Sequence, residues 1–340
     1  MSTTANDEQP DDRKSLSPRG GWTVWRGVRI ALALGMVAAV IAVAGPARLW
    51  AALRDARYVW VLLAVPMAFL GAFFDAVKLW MLLKPQGHRA GLGSVFKTVL
   101  VVNAAALFLP SIIGGGAVAW YRLSKPDNLR AQSFTALSLN LVVKLVVLAA
   151  LGILALALDA GAIGEYRAFI APLSLVACLP VVGLVLMLGT GLSAWTKRVY
   201  ERCFARFLPE RAARAGSNVL ESFENCRSEW GAVFGALAAG AGRKLLDGGV
   251  TLCALYAVGA EVSFVRVLWI VCAVEVASMI PLTLSAWGLF QVTYVGLFAA
   301  VGVAADTSLA SHLIVWVAML PVYLAGANIL ARESAGTGDC

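Results

Sequence analysis

Long apolar runs alternate with short polar connections along most of the chain. About 20 apolar residues span the hydrocarbon core of a bilayer as an α-helix. Six runs approach or exceed that length, and we expect each of them to form a full span. They cover about 29–45, 58–82, 132–157, 168–189, 233–257 and 308–330. The pattern predicts an all-α, polytopic integral membrane protein.

Two further apolar stretches, 95–122 and 267–302, contain a proline close to several small residues. Proline removes a backbone donor and glycine loosens the backbone, so neither stretch continues easily as one helix. At membrane depth such breaks persist only where protein or a wet cavity surrounds them. We therefore predict two re-entrant hairpins with a binding site beside them. The break residues are Pro110, Ser111, Gly114 and Gly115 in the first stretch, and Pro281, Thr283 and Gly288 in the second.

The spans and hairpins divide the membrane domain, 28–332, into two halves at 28–160 and 165–332. Each half holds three spans, with one hairpin before the third span. Because three is an odd number, the second half is predicted to be inverted relative to the first, as in many secondary transporters. The polar segment 1–27 is predicted to be a disordered tail, and 333–340 is predicted to be a second, short tail.

Composition and charge support a membrane location. Hydrophobic residues make up 60% of the chain, charged residues 14%, and the mean hydropathy is +0.79, whereas soluble domains are nearer half apolar and a quarter charged. The net charge of +8 comes from basic residues in the loops, so it reports topology and does not indicate a nucleic-acid partner. The basic loop 190–231 is predicted to be cytoplasmic, which places both termini in the cytoplasm. We expect a cell-membrane protein.

Four of the charged residues inside predicted spans form two close pairs. Asp75 and Lys78 are three positions apart in one span, and Lys244 and Asp247 are three positions apart in another. Residues at this spacing share a helix face, so each pair can neutralise itself where an isolated charge is costly. The pairs are therefore expected to be structural, or to combine that role with binding.

Three more intramembrane charges remain outside these two pairs. Lys144 has no local partner and Arg243 is left over, so both are predicted to bind a lipid phosphate. Arg243 could instead extend to the cytoplasmic surface, together with Lys244. Glu275 lies in the second hairpin, where it would carry protons or hydrogen-bond the broken backbone.

The sequence contains no pattern that predicts catalysis. Its six cysteines form no CxxC pair, and no phosphate-binding loop is present, so neither a metal site nor nucleotide hydrolysis is expected. His312, near the start of the last span, is expected to be structural. We predict that the protein is not an enzyme and needs no cofactor.

The two break motifs resemble those of a known family. Asn103 followed by Leu109-Pro110-Ser111 and Gly114-Gly115, and the turn from Pro281 to Gly288 followed by Gln291, are similar to the signatures of the flippase-like lysylphosphatidylglycerol synthase transmembrane-region family. The resemblance covers about 28–332. This chain departs from the family pattern at Gln291, which is neutral where the family has an acidic residue, and in having Arg122 as the first charge after the glycine pair.

The resemblance implies handling of lipids that carry polar headgroups. Some relatives have a soluble domain that aminoacylates phosphatidylglycerol; here only a short segment follows the last predicted span, so aminoacylation is not expected. The leading hypothesis is translocation of a lipid with an anionic headgroup. The alternatives are a membrane subunit that presents a lipid intermediate to a transferase partner, and an ion-coupled carrier of small solutes. The candidate binding residues are Asn103, Pro110, Ser111, Gly114, Gly115, Arg122, Lys144, Arg243, Lys244, Glu275, Pro281, Thr283, Gly288 and Gln291, with Asp75, Lys78 and Asp247 pairing charges.

Overall fold

The computed structural model describes residues 46–106, 111–125, 129–159, 229–278 and 286–336. Within these ranges every regular element is helical, which confirms the predicted all-α class for this part of the chain. Outside the described residues lie the predicted tail 1–27, the spans 29–45 and 168–189, and nearly all of the basic loop 190–231.

Most of the described helices coincide with the predicted apolar runs. They are α1 Pro46–Arg54, α2 Tyr58–Leu83, α3 Leu92–Ala105, α4 Ser111–Ser124, α5 Arg130–Leu158, α6 Trp230–Ala257, α7 Phe264–Ser278, α8 Ala286–Ala300 and α9 Ala305–Gly336. In the described part, α2, α5 and α9 are long and apolar enough to cross a membrane. Helix α6 is similarly long, at 28 residues, but carries three charges near its middle. Helix α9 continues past the predicted span end.

Each predicted hairpin region holds two shorter helices that pack against each other. Helices α3 and α4 are 14 residues long, and α7 and α8 are 15 residues long. A Cβ atom built at Gly115 of α4 would lie 3.4 Å from Val102 of α3, so the two helices approach closely there. Pro110 and Pro281 fall between the paired helices, outside the described residues.

The order long, short, short, long occurs twice, as α2 to α5 and as α6 to α9. The distance along the chain from the start of α2 to the start of α6 equals the distance from the start of α3 to the start of α7. Gly87 and Gly259 are related by this same offset, and both adopt a φ of 79°, the left-handed conformation that favours glycine after a helix end. Packing repeats in the same way: α3 contacts α9 as α7 contacts α5, and α2 contacts α5 as α6 contacts α9.

Helices α2 and α6 form the central pair and run antiparallel. Large side chains of α2 occupy positions opposite glycines of α6, and both sets recur at every seventh position. The opposed pairs are Met67 with Gly249, Phe74 with Gly242, and Met81 with Gly235. Small residues let helix axes approach in a membrane, where van der Waals packing and hydrogen bonds hold helices together.

Glycine also permits close contact between a long helix and a hairpin helix in each half. A Cβ at Gly326 of α9 would overlap the carbonyl oxygen of Leu100 in α3, and a Cβ at Gly152 of α5 would lie 3.2 Å from the Cβ of Cys272 in α7. Leu100 and Cys272 are related by the same chain offset as the helix starts, and the two glycines by nearly the same offset. The same kind of crossing thus occurs in both halves.

Substitution of Gly326 by alanine is expected to destabilise the fold by about 1–3 kcal/mol, the usual cost of overpacking. The new methyl group would meet the backbone of α3, which cannot rotate away as a side chain can. Thermal unfolding of detergent-purified protein, followed by tryptophan fluorescence, measures the effect. Gly296→Ala is the matched control, because a Cβ there meets open space; equal midpoints for the two variants would refute the close crossing.

Candidate functional site: a charged cluster between four helices

Helix α6 places three charges near its midpoint. The Asp247 carboxylate accepts from two cations one turn earlier: Lys244 Nζ lies 2.9 Å from Oδ2 and Arg243 Nη2 lies 3.0 Å from Oδ1. This spacing of three and four positions puts all three side chains on one side of the helix. The predicted Lys244–Asp247 pair is therefore present, and Arg243, which the sequence left over, shares the same carboxylate.

Glu275 joins α6 to two other helices. It lies in the last turn of α7, where Ser278 Oγ donates to its backbone carbonyl at 2.7 Å. Its side chain contacts Lys144 Nζ of α5 at 2.6 Å and also pairs with Lys244 Nζ of α6. Three helices thus meet at one carboxylate in the last turn of α7, which ends at Ser278.

Helix α2 contributes the fourth side of the site. The predicted pair is present, with Lys78 Nζ 2.6 Å from Asp75 Oδ1. The aliphatic part of the Lys78 side chain packs against Gly240 of α6, where a Cβ atom would lie 3.4 Å from Lys78 Cδ. The guanidinium of Arg243 occupies the space next to Gly71 that a side chain at that position would fill. Because Gly71 has no side chain, the cation of α6 can reach across to α2. The charged cluster consists of Asp75, Lys78, Lys144, Arg243, Lys244, Asp247 and Glu275.

The charged cluster lies near the middle of its helices. Lys144 is the central residue of the 29-residue helix α5, which places it about 21 Å from either end at a rise of about 1.5 Å per residue. Lys78 and Lys244 are buried, with 4% and 7% of their side chains exposed, while Lys144 and Asp75 are 38% and 34% exposed. The cluster is therefore enclosed at Lys78 and Lys244 and accessible at Lys144 and Asp75.

Lys144 and Arg243, which the sequence analysis left outside the two close pairs, both have partners in the structure. Each is paired with a carboxylate, Lys144 with Glu275 and Arg243 with Asp247. Helix packing supplies the partner of Lys144 from the other half of the chain, which no spacing rule reveals. Among the described residues, the side chain of Glu275 contacts Lys144 and Lys244. Both expectations for Glu275, proton carriage and a hydrogen bond to the broken backbone, stay predictions.

The residues predicted around the breaks are distributed over the hairpin helices. Asn103 lies in the last turn of α3, where its amide donates to the carbonyl of Val99 at 3.0 Å. Gln291 of α8 is 7% exposed, and its Oε1 accepts no hydrogen bond from the described residues. Ser111, Gly114 and Gly115 belong to α4 and Gly288 belongs to α8. Pro110, Pro281 and Thr283 lie outside the described residues.

Arg122 takes part in a different contact. Its guanidinium makes a two-pronged pair with the Glu333 carboxylate of α9, at 2.5 and 2.8 Å. At the corresponding end of α5, Asp159 pairs with Arg266 of α7 at 2.9 and 3.0 Å. Sequence reasoning missed both pairs because the partners are far apart along the chain.

The Arg266 guanidinium, by hydrogen bonding, holds the pKa of Asp159 below its ordinary value. The pair therefore contributes stability above the ordinary carboxyl pKa, and that contribution is lost as the pH falls through the lowered value. Asp159 directly follows the end of α5, so this contact fastens a hairpin helix to a long helix near a helix end.

His312 lies in an aromatic environment between α8 and α9. It is 5% exposed, and its Nε2 accepts a hydrogen bond from the Trp316 indole at 3.0 Å. Its ring lies 5.1 Å from that of Phe290 and 4.9 Å from that of Tyr294, whose hydroxyl is 3.1 Å from Ser311 Oγ. The contacts hold the last hairpin helix against the last long helix, which agrees with the structural role expected for His312.

Comparison with protein families gives a match over most of the chain. The family model described as the lysylphosphatidylglycerol synthase TM region covers residues 28–326. The curated proteins give no match. The matched range contains the whole charged cluster and both pairs of hairpin helices.

Proposed function

Because the chain belongs to the lysylphosphatidylglycerol synthase transmembrane-region family, it is a membrane protein of a kind associated with lipid handling, and we propose that it binds a lipid by an anionic headgroup and moves it across the cell membrane. The observation that carries this proposal is the charged cluster at mid-helix depth beside the α7–α8 break. Ionisable groups at such depth are costly and generally mark a substrate or ion pathway.

The chemistry of the cluster suits a phosphate. Lys144 Nζ uses one contact with Glu275 and, having three N–H donors, keeps others for a ligand. Arg243 adds a guanidinium beside Asp247, and guanidinium groups match phosphate oxygens in geometry. We assign binding to this site and no catalytic step.

The repeated architecture supports movement of the bound lipid. We propose that 28–160 and 165–332 are inverted repeats, with α3–α4 and α7–α8 as re-entrant hairpins. The antiparallel central helices α2 and α6 and the matched packing of the two halves support this arrangement. In inverted-repeat transporters, one half rocks against the other around a fixed site near the midplane.

We also propose cytoplasmic termini, with the loop 190–231 on the same side of the membrane, from the bias of basic residues in the sequence. Single cysteines placed at Ser2 or Ser334 in a cysteine-free background will then resist labelling by an impermeant reagent applied to intact cells. Ready labelling from outside would reverse this topology.

Reconstitution tests the proposed activity. Purified full-length protein in vesicles is expected to move fluorescent lipids with anionic headgroups between leaflets faster than protein-free vesicles do, as measured by quenching of the outer leaflet. Tight binding of lipid without movement would favour the presenting subunit. Uptake of a soluble solute driven by an ion gradient, without lipid movement, would favour the small-solute carrier.

A further inference from the structure

The charges of the cluster do not balance. Four cations face three carboxylates, and each carboxylate contacts at least one cation. The cations are Lys78, Lys144, Arg243 and Lys244, and the carboxylates are Asp75, Asp247 and Glu275. Among the described residues the cluster thus carries one surplus positive charge. The number of residues from Asn103 to Glu275 equals the number from the start of α3 to the start of α7. Asn103 therefore occupies in α3 the place that Glu275 occupies in α7, and it adds no charge.

Lys144 is where the surplus charge is accessible. Its side chain is 38% exposed, whereas Lys78 and Lys244 are almost enclosed. On the same helix, Leu141 and Phe134 are 40% and 53% exposed and precede Lys144 by about one and three turns. A ligand that reaches Lys144 along α5 therefore meets apolar side chains, as the acyl chains of a lipid would require.

We propose that this surplus positive charge makes the site selective for a headgroup with one net negative charge, namely a phosphodiester with an uncharged substituent. The same surplus disfavours a headgroup that carries an added ammonium group, above all a lysylated one. The inference rests on the proposed lipid site. One phosphodiester brings the cluster to neutrality, whereas a zwitterion leaves it at plus one and a lysylated diester at plus two. Uncompensated charge away from water is costly.

The carboxylates give an incoming ammonium no free partner. Asp75 is the most exposed of the three, but its carboxylate is already 2.6 Å from the buried Lys78. An ammonium could use Asp75 only by displacing Lys78, which would then be buried without a counter-ion. Asp247 and Glu275 each hold two cations.

The test is a competition between lipids of matched acyl chains. Full-length protein is offered equal amounts of phosphatidylglycerol, phosphatidylethanolamine, lysylphosphatidylglycerol and phosphatidic acid, and the retained lipid is quantified by native mass spectrometry. The wild type is expected to retain phosphatidylglycerol at least ten-fold over its lysylated form. Lys144→Gln, with no surplus charge, should lose ten-fold or more of this retention and favour the zwitterion. Glu275→Gln, with a surplus of two, should favour phosphatidic acid.

Lys97→Gln is the matched control, because Lys97 is exposed on α3 and outside the cluster; its lipid ranking should equal that of the wild type. Preference of the wild type for the zwitterionic or lysylated lipid, or one ranking shared by wild type and Lys144→Gln, overturns the inference. So does equal competition by soluble glycerophosphoglycerol, which would show a site for free phosphodiesters. If Glu275→Gln does not fold, the lipid ranking of Lys144→Gln alone decides whether the inference holds.

Failure of this inference is distinguishable from failure of the proposed function. Vesicles made with the same lipids report movement, while mass spectrometry reports binding. The expected ranking without movement would reject translocation and leave the selectivity standing. Movement of all four lipids at one rate, with no ranking in binding, would reject the selectivity and leave translocation standing.

Discussion

Asp75→Asn will lower the free energy of unfolding by about 3 kcal/mol, near the lower end of the range for breaking a buried ion pair. The substitution leaves Lys78, whose side chain is only 4% exposed, without its carboxylate partner. The lower end applies because 34% of the Asp75 side chain remains exposed, so the protein encloses the ion pair only in part. The measurement is thermal and denaturant unfolding of purified protein in detergent.

Two further variants make this result interpretable. Asp55→Asn, at an exposed position before α2, should leave the unfolding midpoint unchanged. Asp75→Asn with Lys78→Met removes both charges and should regain most of the lost stability, because an uncharged pair of similar size replaces the ion pair. If the single and double variants unfold alike, the ion pair does not stabilise the fold.

Lys144→Gln or Arg243→Gln will reduce lipid movement about 10- to 100-fold while the protein still inserts and folds. The loss corresponds to one charge-assisted hydrogen bond, roughly 1.5–3 kcal/mol. Folding is expected to survive because each carboxylate keeps a second cation: Glu275 and Asp247 both remain paired with Lys244. Rates in reconstituted vesicles, with helical content from circular dichroism, test both parts.

Arg243→Lys separates charge from geometry. Lysine keeps the positive charge but not the planar, forked guanidinium, so partial recovery of the rate would show that charge supplies most of the binding and shape the rest. Wild-type rates in both glutamine variants, with intact folding, would remove the cluster from the proposed transport route.

The order and type of the helices follow from local sequence, and these features could be predicted. The apolar runs 58–82, 132–157, 233–257 and 308–330 became α2, α5, α6 and α9, since a helix satisfies its own backbone and needs only enough apolar length. Breaks near Pro110 and Pro281 are predicted on similarly local grounds, because proline and small residues act on the backbone within a turn or two, and the described helices α3 and α7 end before these prolines while α4 and α8 begin after them. Pairs such as Asp75–Lys78 follow from spacing alone.

By itself, therefore, the sequence determined the helical class, the positions of most described helices, the ion pairs at a spacing of three, and the family. The interruptions at Pro110 and Pro281 lie outside the described residues and stay predictions. Only the tertiary structure decided that Lys144 meets Glu275, that Arg122 meets Glu333, and that four helices bring the charged cluster together. The physical reason is the distance along the chain over which each interaction acts. Backbone bonding and helix-face spacing act over a few positions, whereas the partner of a charge in a distant part of the chain depends on which helices pack together, and that packing is set by small contacts such as those at Gly71 and Gly240.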